Sequence, residues 1–196
     1  MTTPVRRITT LAAIGVVAFA IVAGGLWYLL WRPARHVDVE LGFTIQFSPE
    51  WEVWPPGDGA NARATRTIHG VNAVISVIAS DVRNFPDSAS YRDWWIEASS
   101  KGSGFARVQD GIRETPFGRL PWTLYIFRSQ PGDIRMQALQ YFHLRKGNGK
   151  EPDRAYIISC TATPDMFERF RPDFEETVDT FRADPVQTGS MTTAVP

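Results

Sequence analysis

Between Arg7 and Arg32 the chain carries no charged residue, and its centre reads LAAIGVVAFAIVAGGLWYLLW from Leu11 to Trp31. A helix rises about 1.5 Å per residue, so this run covers roughly 30 Å, the thickness of a bilayer's hydrocarbon core. It has no polar face to turn towards water, which sets it apart from a helix packed on the rim of a small domain. The sequence therefore divides into a polar stub (1–10), a predicted transmembrane helix (11–31), a linker (32–37), a folded domain (38–182) and a polar tail (183–196) predicted to be disordered.

The flanks support a span that is retained. Trp27, Tyr28 and Trp31 are followed by Arg32 and Arg35, the aromatic belt and basic anchors expected where a helix leaves the bilayer. The alternative is a cleaved signal peptide, for which Ala18-Phe19-Ala20 has the small-x-small shape. The apolar run continues well past Ala20, where a mature N-terminus would turn polar. No cysteine lies in the run, so a lipoprotein-type anchor is not expected. Arg6 and Arg7 precede the span and Arg32 and Arg35 follow it, so the charge rule votes only weakly for a cytoplasmic stub. With that orientation, the chain is a single-pass protein of the bacterial inner (cytoplasmic) membrane, and its domain lies on the periplasmic side. A cytoplasm-facing adaptor is the reversed alternative.

Charge excludes one class of partner. Twenty-one basic residues balance 21 acidic ones, which leaves no electrostatic footprint for nucleic acid. Cys160 is the only cysteine, so the domain is held by its core and not by a disulfide within the chain.

Beyond the linker, residues 37–47 alternate apolar and polar around Gly42, as a strand pair or one bent strand. Residues 62–68 and 71–80 form a hairpin through His69-Gly70. Ser88–Lys101 is a predicted helix capped by Ser88 or Ser90, with Tyr91, Trp95 and Ala98 on one face and Trp94 flanking it. Three strands follow the stretch 105–115. Leu120–Ser129 aligns Trp122, Leu124 and Ile126. Ile134–Arg145 aligns Ile134, Met136, Ala138, Phe142 and Leu144, which leaves His143 on an outward polar face. Ala155–Thr163 aligns Tyr156, Ile158, Cys160 and Ala162. The last element, Pro164–Phe181, carries Phe167, Phe170, Phe174, Val178 and Phe181 at three- and four-residue steps, with Thr163 as its cap. Pro172 lies inside that pattern, so a kink or break is predicted between Glu168 and Arg171. The fold class expected is α+β, an antiparallel sheet covered by helices that include a C-terminal amphipathic one.

Two stretches carry a resemblance. Gly42-Phe43-Thr44-Ile45-Gln46-Phe47-Ser48-Pro49-Glu50-Trp51 resembles the opening strand of the PsbP-like superfamily, and residues 155–163 followed by Phe174, Val178 and Phe181 resemble its last strand and helix. Phe117-Gly118-Arg119-Leu120 stands where such proteins place a glycine before a long strand. That superfamily includes the extrinsic photosystem II protein, DcrB-type periplasmic proteins and a yeast Ran-binding factor. The resemblance covers about residues 38–182. It implies an adaptor or assembly factor, and it supplies no binding residues.

The chemistry-bearing residues point the same way. His36, His69 and His143 are too scattered for a metal-ligand spacing, and no nucleophile elbow, P-loop or dinucleotide fingerprint occurs. No catalytic residue, cofactor or metal is assigned, and the chain is not expected to be an enzyme. An enzyme built on an unrecognised polar cluster is the alternative. Cys160 reads as a buried structural thiol. Trp51, Trp54 and Trp94 are the candidate binding-surface aromatics. The expected partners are the lipid bilayer and another envelope protein or a small ligand.

Overall fold

A computed structural model describes residues 32–183 apart from 103, 130, 131 and 150. The apolar run 11–31, with Trp27, Tyr28 and Trp31, and the tail beyond 183 lie outside the described residues. Among the described residues no helix is long and apolar enough to cross a membrane.

The first strands pair with each other. β1 (Ala34–Asp38) runs antiparallel to β2 (Phe43–Phe47), so β1 takes in residues 34–37, read from the sequence as linker. Gly42 has a φ of 66°, which closes the turn between them. Seven further strands make one antiparallel sheet: β3 (Glu52–Trp54), β4 (Ala62–Ile68), β5 (Val71–Val82), β6 (Ala106–Thr115), β7 (Gly118–Ser129), β8 (Ile134–Arg145) and β9 (Asp153–Ala162). Their spatial order is β3-β4-β5-β9-β8-β7-β6. His69 and Gly70 turn the β4–β5 hairpin with φ of 51° and 78°, the backbone sign that a two-residue connection of this twist requires.

Helices cover both faces. α2 (Pro164–Asp179) packs on β9, β8 and β5, and β2 packs beside it. Together they enclose the larger core, which holds Phe43, Ile45, Trp51, Ile75, Tyr156, Cys160, Phe167, Phe170 and Phe174. α1 (Ser88–Ser99) lies against β8 and β7 on the other face, over Phe142, Leu144, Ala155 and Ile157. β9 is central and buried on both sides, which explains its unbroken apolar run from Ala155 to Ile158.

Several details depart from the sequence reading. Asp87, not Ser88 or Ser90, caps α1. Its Oδ1 accepts the Ser90 N–H at 2.8 Å, while the Ser88 hydroxyl accepts the Leu144 N–H at 2.9 Å. On α1 it is Ile96 that joins Tyr91 in the core, and Ala98 is exposed. β8 does not have an outward polar face. Leu139 and Tyr141 enter the larger core, and His143 is half-buried with its ring centroid 6.0 Å from that of Tyr156 and 6.1 Å from that of Phe181. β6, left unassigned in the sequence, is a full strand at the sheet's edge.

Of the kink or break expected between Glu168 and Arg171, the break does not occur: α2 runs continuously from Pro164 to Asp179 through Pro172. Pro172 and Glu168 are both exposed, so the proline sits on the solvent side of the helix and not in the core. A proline inside a helix costs about 3 kcal/mol. Phe167, Phe170, Phe174 and Val178 are completely buried on either side of it, each stabilising by about 1.5–3 kcal/mol, and the packing prevails. Thr163 is the N-cap residue by position, but its hydroxyl makes no capping bond.

Candidate functional site

The β6–β7 hairpin is tied to the C-terminal end of α2, and clefts open along that seam. At its tip, the Thr115 hydroxyl donates to the Gly118 carbonyl at 2.8 Å and accepts the Phe117 N–H at 3.2 Å. This leaves Phe117 partly exposed, with the Arg182 guanidinium 4.0 Å from its ring centroid, a cation–π contact. Arg182 is fixed in turn by backbone bonds with Thr44 of β2 in both directions, at 2.8 and 2.9 Å. The Gln46 N–H donates to the Thr180 hydroxyl at 2.9 Å. One short region thus joins the β1–β2 pair, the end of α2 and the β6–β7 turn.

Along β6, Arg113 reaches across to α2. Its Nε and Nη2 donate to the two carboxylate oxygens of Asp179 at 2.8 Å each, and Nη1 donates to Glu175 at 3.0 Å. Arg171, one turn back on α2, donates to Glu175 at 3.3 Å and to Glu168 at 3.2 Å. Glu175 is therefore shared by two arginines. Hydrogen bonds to Asp179 hold the Arg113 guanidinium above the ordinary arginine value, against the effect of burial.

This network borders a cleft of about 380 Å³, lined by Ile112, Arg113, Trp122, Tyr141, Arg171 and Glu175. Trp122 forms part of its floor because Gly111 has no side chain: a Cβ there would sit 2.5 Å from the indole. Burial pushes the Tyr141 hydroxyl well above its ordinary value, so it stays neutral at physiological pH. A second hollow of about 260 Å³ lies between Phe117, Leu120, His143 and Phe181, and a third of about 290 Å³ between Arg35, Thr44, Phe117 and Asp179. A larger hollow, about 540 Å³, is elsewhere, between the end of β5 at Asp81–Asn84 and the turn before β9. Turn residues and strand ends form its walls, and among the described residues no aromatic side chain lines it. The seam has the better binding character, since aromatic, cationic and anionic groups converge there.

The aromatics singled out in the sequence do not gather at one place. Trp51 is only 4% exposed and packs on Phe170 and Phe174, so it belongs to the core and not to a surface. Trp54 is 47% exposed on β3, where its Nε1 donates to the Thr65 hydroxyl. Trp94 is 50% exposed on α1 beside Phe85, Tyr91 and Trp95. Arg32 is exposed, and Arg35 is exposed on β1 at the rim of the third hollow. Sequence reasoning missed Arg113, Tyr141 and Arg182. The four-residue step from Arg171 to Glu175 was a readable signal on α2, but Arg113 is 62 residues from Glu175 and only the topology brings them together.

The sequence matches no protein-family model and no curated protein. Solved structures do match. The chain is similar to LpqN of Mycobacterium tuberculosis, described as involved in cell envelope biogenesis. Identity is 12%, the match covers 79% of this chain and 90% of LpqN, and the TM-score is 0.60. It is also similar to the cyanobacterial PsbP, CyanoP, of Synechocystis, at 14% identity over 77% of this chain and 92% of CyanoP, with a TM-score of 0.52. The α+β domain described here has the PsbP-like fold.

Proposed function

We propose that this chain is a non-catalytic binding or assembly module, held at the bacterial inner membrane by the apolar run 11–31 with its domain on the extracytoplasmic side. The observation that carries the reading is the state of the charged groups at the seam. Arg113, Arg171, Glu175 and Asp179 are committed to one another, an arrangement suited to shaping a surface and unlike a set of groups poised to exchange protons. The fold shared with an envelope-biogenesis protein supports an envelope setting. The uncharged run between Arg7 and Arg32 supports the anchor.

The test uses the full chain in a bacterial host. A C-terminal alkaline phosphatase fusion should be active, the equivalent cytoplasm-dependent fluorescent fusion dark, and the protein should stay in carbonate-washed membranes. Photo-crosslinkers at Phe117, Ile112 and Trp94 should give discrete adducts in intact cells. An inactive phosphatase fusion overturns the orientation, and loss from washed membranes overturns the anchor. The absence of adducts at every position overturns the binding role.

A further inference from the structure

The two edges of the sheet are unequal. At one edge β3 is three residues long, Glu52–Trp54. At the other, β6 is ten residues long and, among the described residues, pairs only with β7. An edge strand presents a row of unpaired N–H and C=O groups, and proteins usually guard a long one with proline or outward charge. β6 contains no proline. Its charged residues Arg107, Asp110, Arg113 and Glu114 are each drawn into ion pairs within the chain, with Asp110, Arg107, Glu175 and Asp179, and Arg119 respectively. Ile112 is left 52% exposed on this edge. A bulge between Arg107 and Gln109 disrupts only the start of the strand, and the register with β7 is regular from Gln109 to Thr115.

We infer that the free edge of β6 over residues 109–115 accepts an extended strand of another protein as an eighth, antiparallel strand. This deepens the binding-module reading and rests on it. The strand's own sequence argues against a second copy of the chain as occupant. A two-fold antiparallel pairing centred on Asp110 sets Asp110 against its own copy, and one centred on Ile112 sets Asp110 against Glu114. Centring on Gly111 or Arg113 sets Ile112 against a carboxylate, Asp110 or Glu114. Like charges directly opposite destabilise a ladder, and an apolar–carboxylate pair contributes nothing to it. The same alternation defines what does fit. Asp110, Ile112 and Glu114 share one face of β6, so the incoming strand reads basic–x–apolar–x–basic, with its apolar side chain opposite Ile112. Glu114 and its partner Arg119 are 71% and 67% exposed, so Glu114 is free to exchange that partner at little cost.

The probe is the capped peptide Thr-Lys-Thr-Val-Thr-Lys-Thr, titrated into the detergent-solubilised full chain, with amide hydrogen exchange as readout. Exchange over residues 109–115 should slow by about tenfold or more at saturation. A peptide with proline in place of valine should give no protection. Ile112→Lys, a change at an exposed site that leaves the fold intact, should weaken binding by about tenfold or more. Protection that maps elsewhere on the domain overturns the edge assignment and leaves the binding role standing. No protection anywhere overturns the edge assignment, while the cross-linking described above decides the binding role separately. A concentration-dependent dimer of the free chain, abolished by Ile112→Lys, overturns the choice of a foreign strand.

Discussion

Arg113 and Asp179 meet through two parallel hydrogen bonds of 2.8 Å, one from Nε and one from Nη2. The pair ties the outermost strand of the sheet to the last turn of the C-terminal helix. A planar fork against a carboxylate is the strongest form of such a contact, and lysine cannot reproduce it. The two side chains are 25% and 36% exposed, so solvent screens part of the attraction. Arg113→Ala should therefore cost about 1–2 kcal/mol, and Arg113→Lys should recover less than half of it. Thermal melts at low and high salt check this, because the difference from the parent should shrink as salt rises. Identical melts for parent and Arg113→Ala would show that the pair holds nothing.

The larger core has a different centre. Phe174 is completely buried, with ring centroids of Trp51, Phe167 and Phe170 at 5.9, 5.6 and 6.1 Å. Phe174→Ala removes the ring that these three share. The expected loss is about 3–5 kcal/mol, which rivals the whole stability of a typical domain. Urea denaturation of the full chain in detergent, followed by tryptophan fluorescence, measures it. A midpoint unchanged from the parent would mean that α2 does not pack as described.

Elements with strong periodicity and both ends marked were readable from the sequence. The β4–β5 hairpin, β9 and the phenylalanine face of α2 all stand where the spacing put them. β6 was not readable. An edge strand buries little, so its sequence ARVQDGIRET shows no apolar alternation, and the bulge after Arg107 breaks what period there is. His143 misled for a related reason. Alternation along β8 assumes one wet face, but helices and the β1–β2 pair cover both faces of the sheet, so odd and even positions are both apolar-facing. The seam was least legible of all. Its partners come from three distant segments, Arg113 on β6, Tyr141 on β8, and Glu175 and Arg182 on and just after α2, and nothing local announces them.

Cys160 gives a direct measure of how tightly the central strand is closed. It has no exposed surface, and burial pushes its thiol well above the ordinary cysteine value. A thiolate is the reactive form, so modification has to wait for the core to open. Labelling of the native chain by a bulky maleimide should be slower than labelling in urea by orders of magnitude, and should speed up in Phe174→Ala. Fast labelling of the folded parent would contradict the burial.

His143 sets a window of pH sensitivity. Burial, with a smaller contribution from Arg145, lowers its pKa from the ordinary 6.5. The unfolded chain therefore binds the proton first. Stability is fully present above pH 6.5 and falls as the pH drops from there through the lower folded-state value. Asp87, Asp110 and Asp153 are held below 3.8, so their contribution is lost only at more acid pH and the two windows separate. Denaturation midpoints between pH 7.5 and 5 should decline in the parent and decline less in His143→Phe. Parallel curves for the two would remove His143 as the cause.

Pro172 offers a gain in place of a loss. The residue sits inside α2 with no N–H to give to the Glu168 carbonyl, and its ring faces solvent. Pro172 is not among the residues of the larger core. Alanine at this position restores the missing hydrogen bond, relieves the ring's clash with the preceding turn and has the highest helix propensity. Some of the gain is offset because proline also restrains the unfolded chain, by about 0.4–1 kcal/mol. Pro172→Ala should therefore stabilise the domain by about 1–2 kcal/mol and raise its melting temperature by several degrees, without changing the Arg171–Glu175 contact beside it. Thermal denaturation of the full chain decides the matter. A lower melting temperature for Pro172→Ala would mean that the proline fixes a bend which the packing of Phe170 and Phe174 requires.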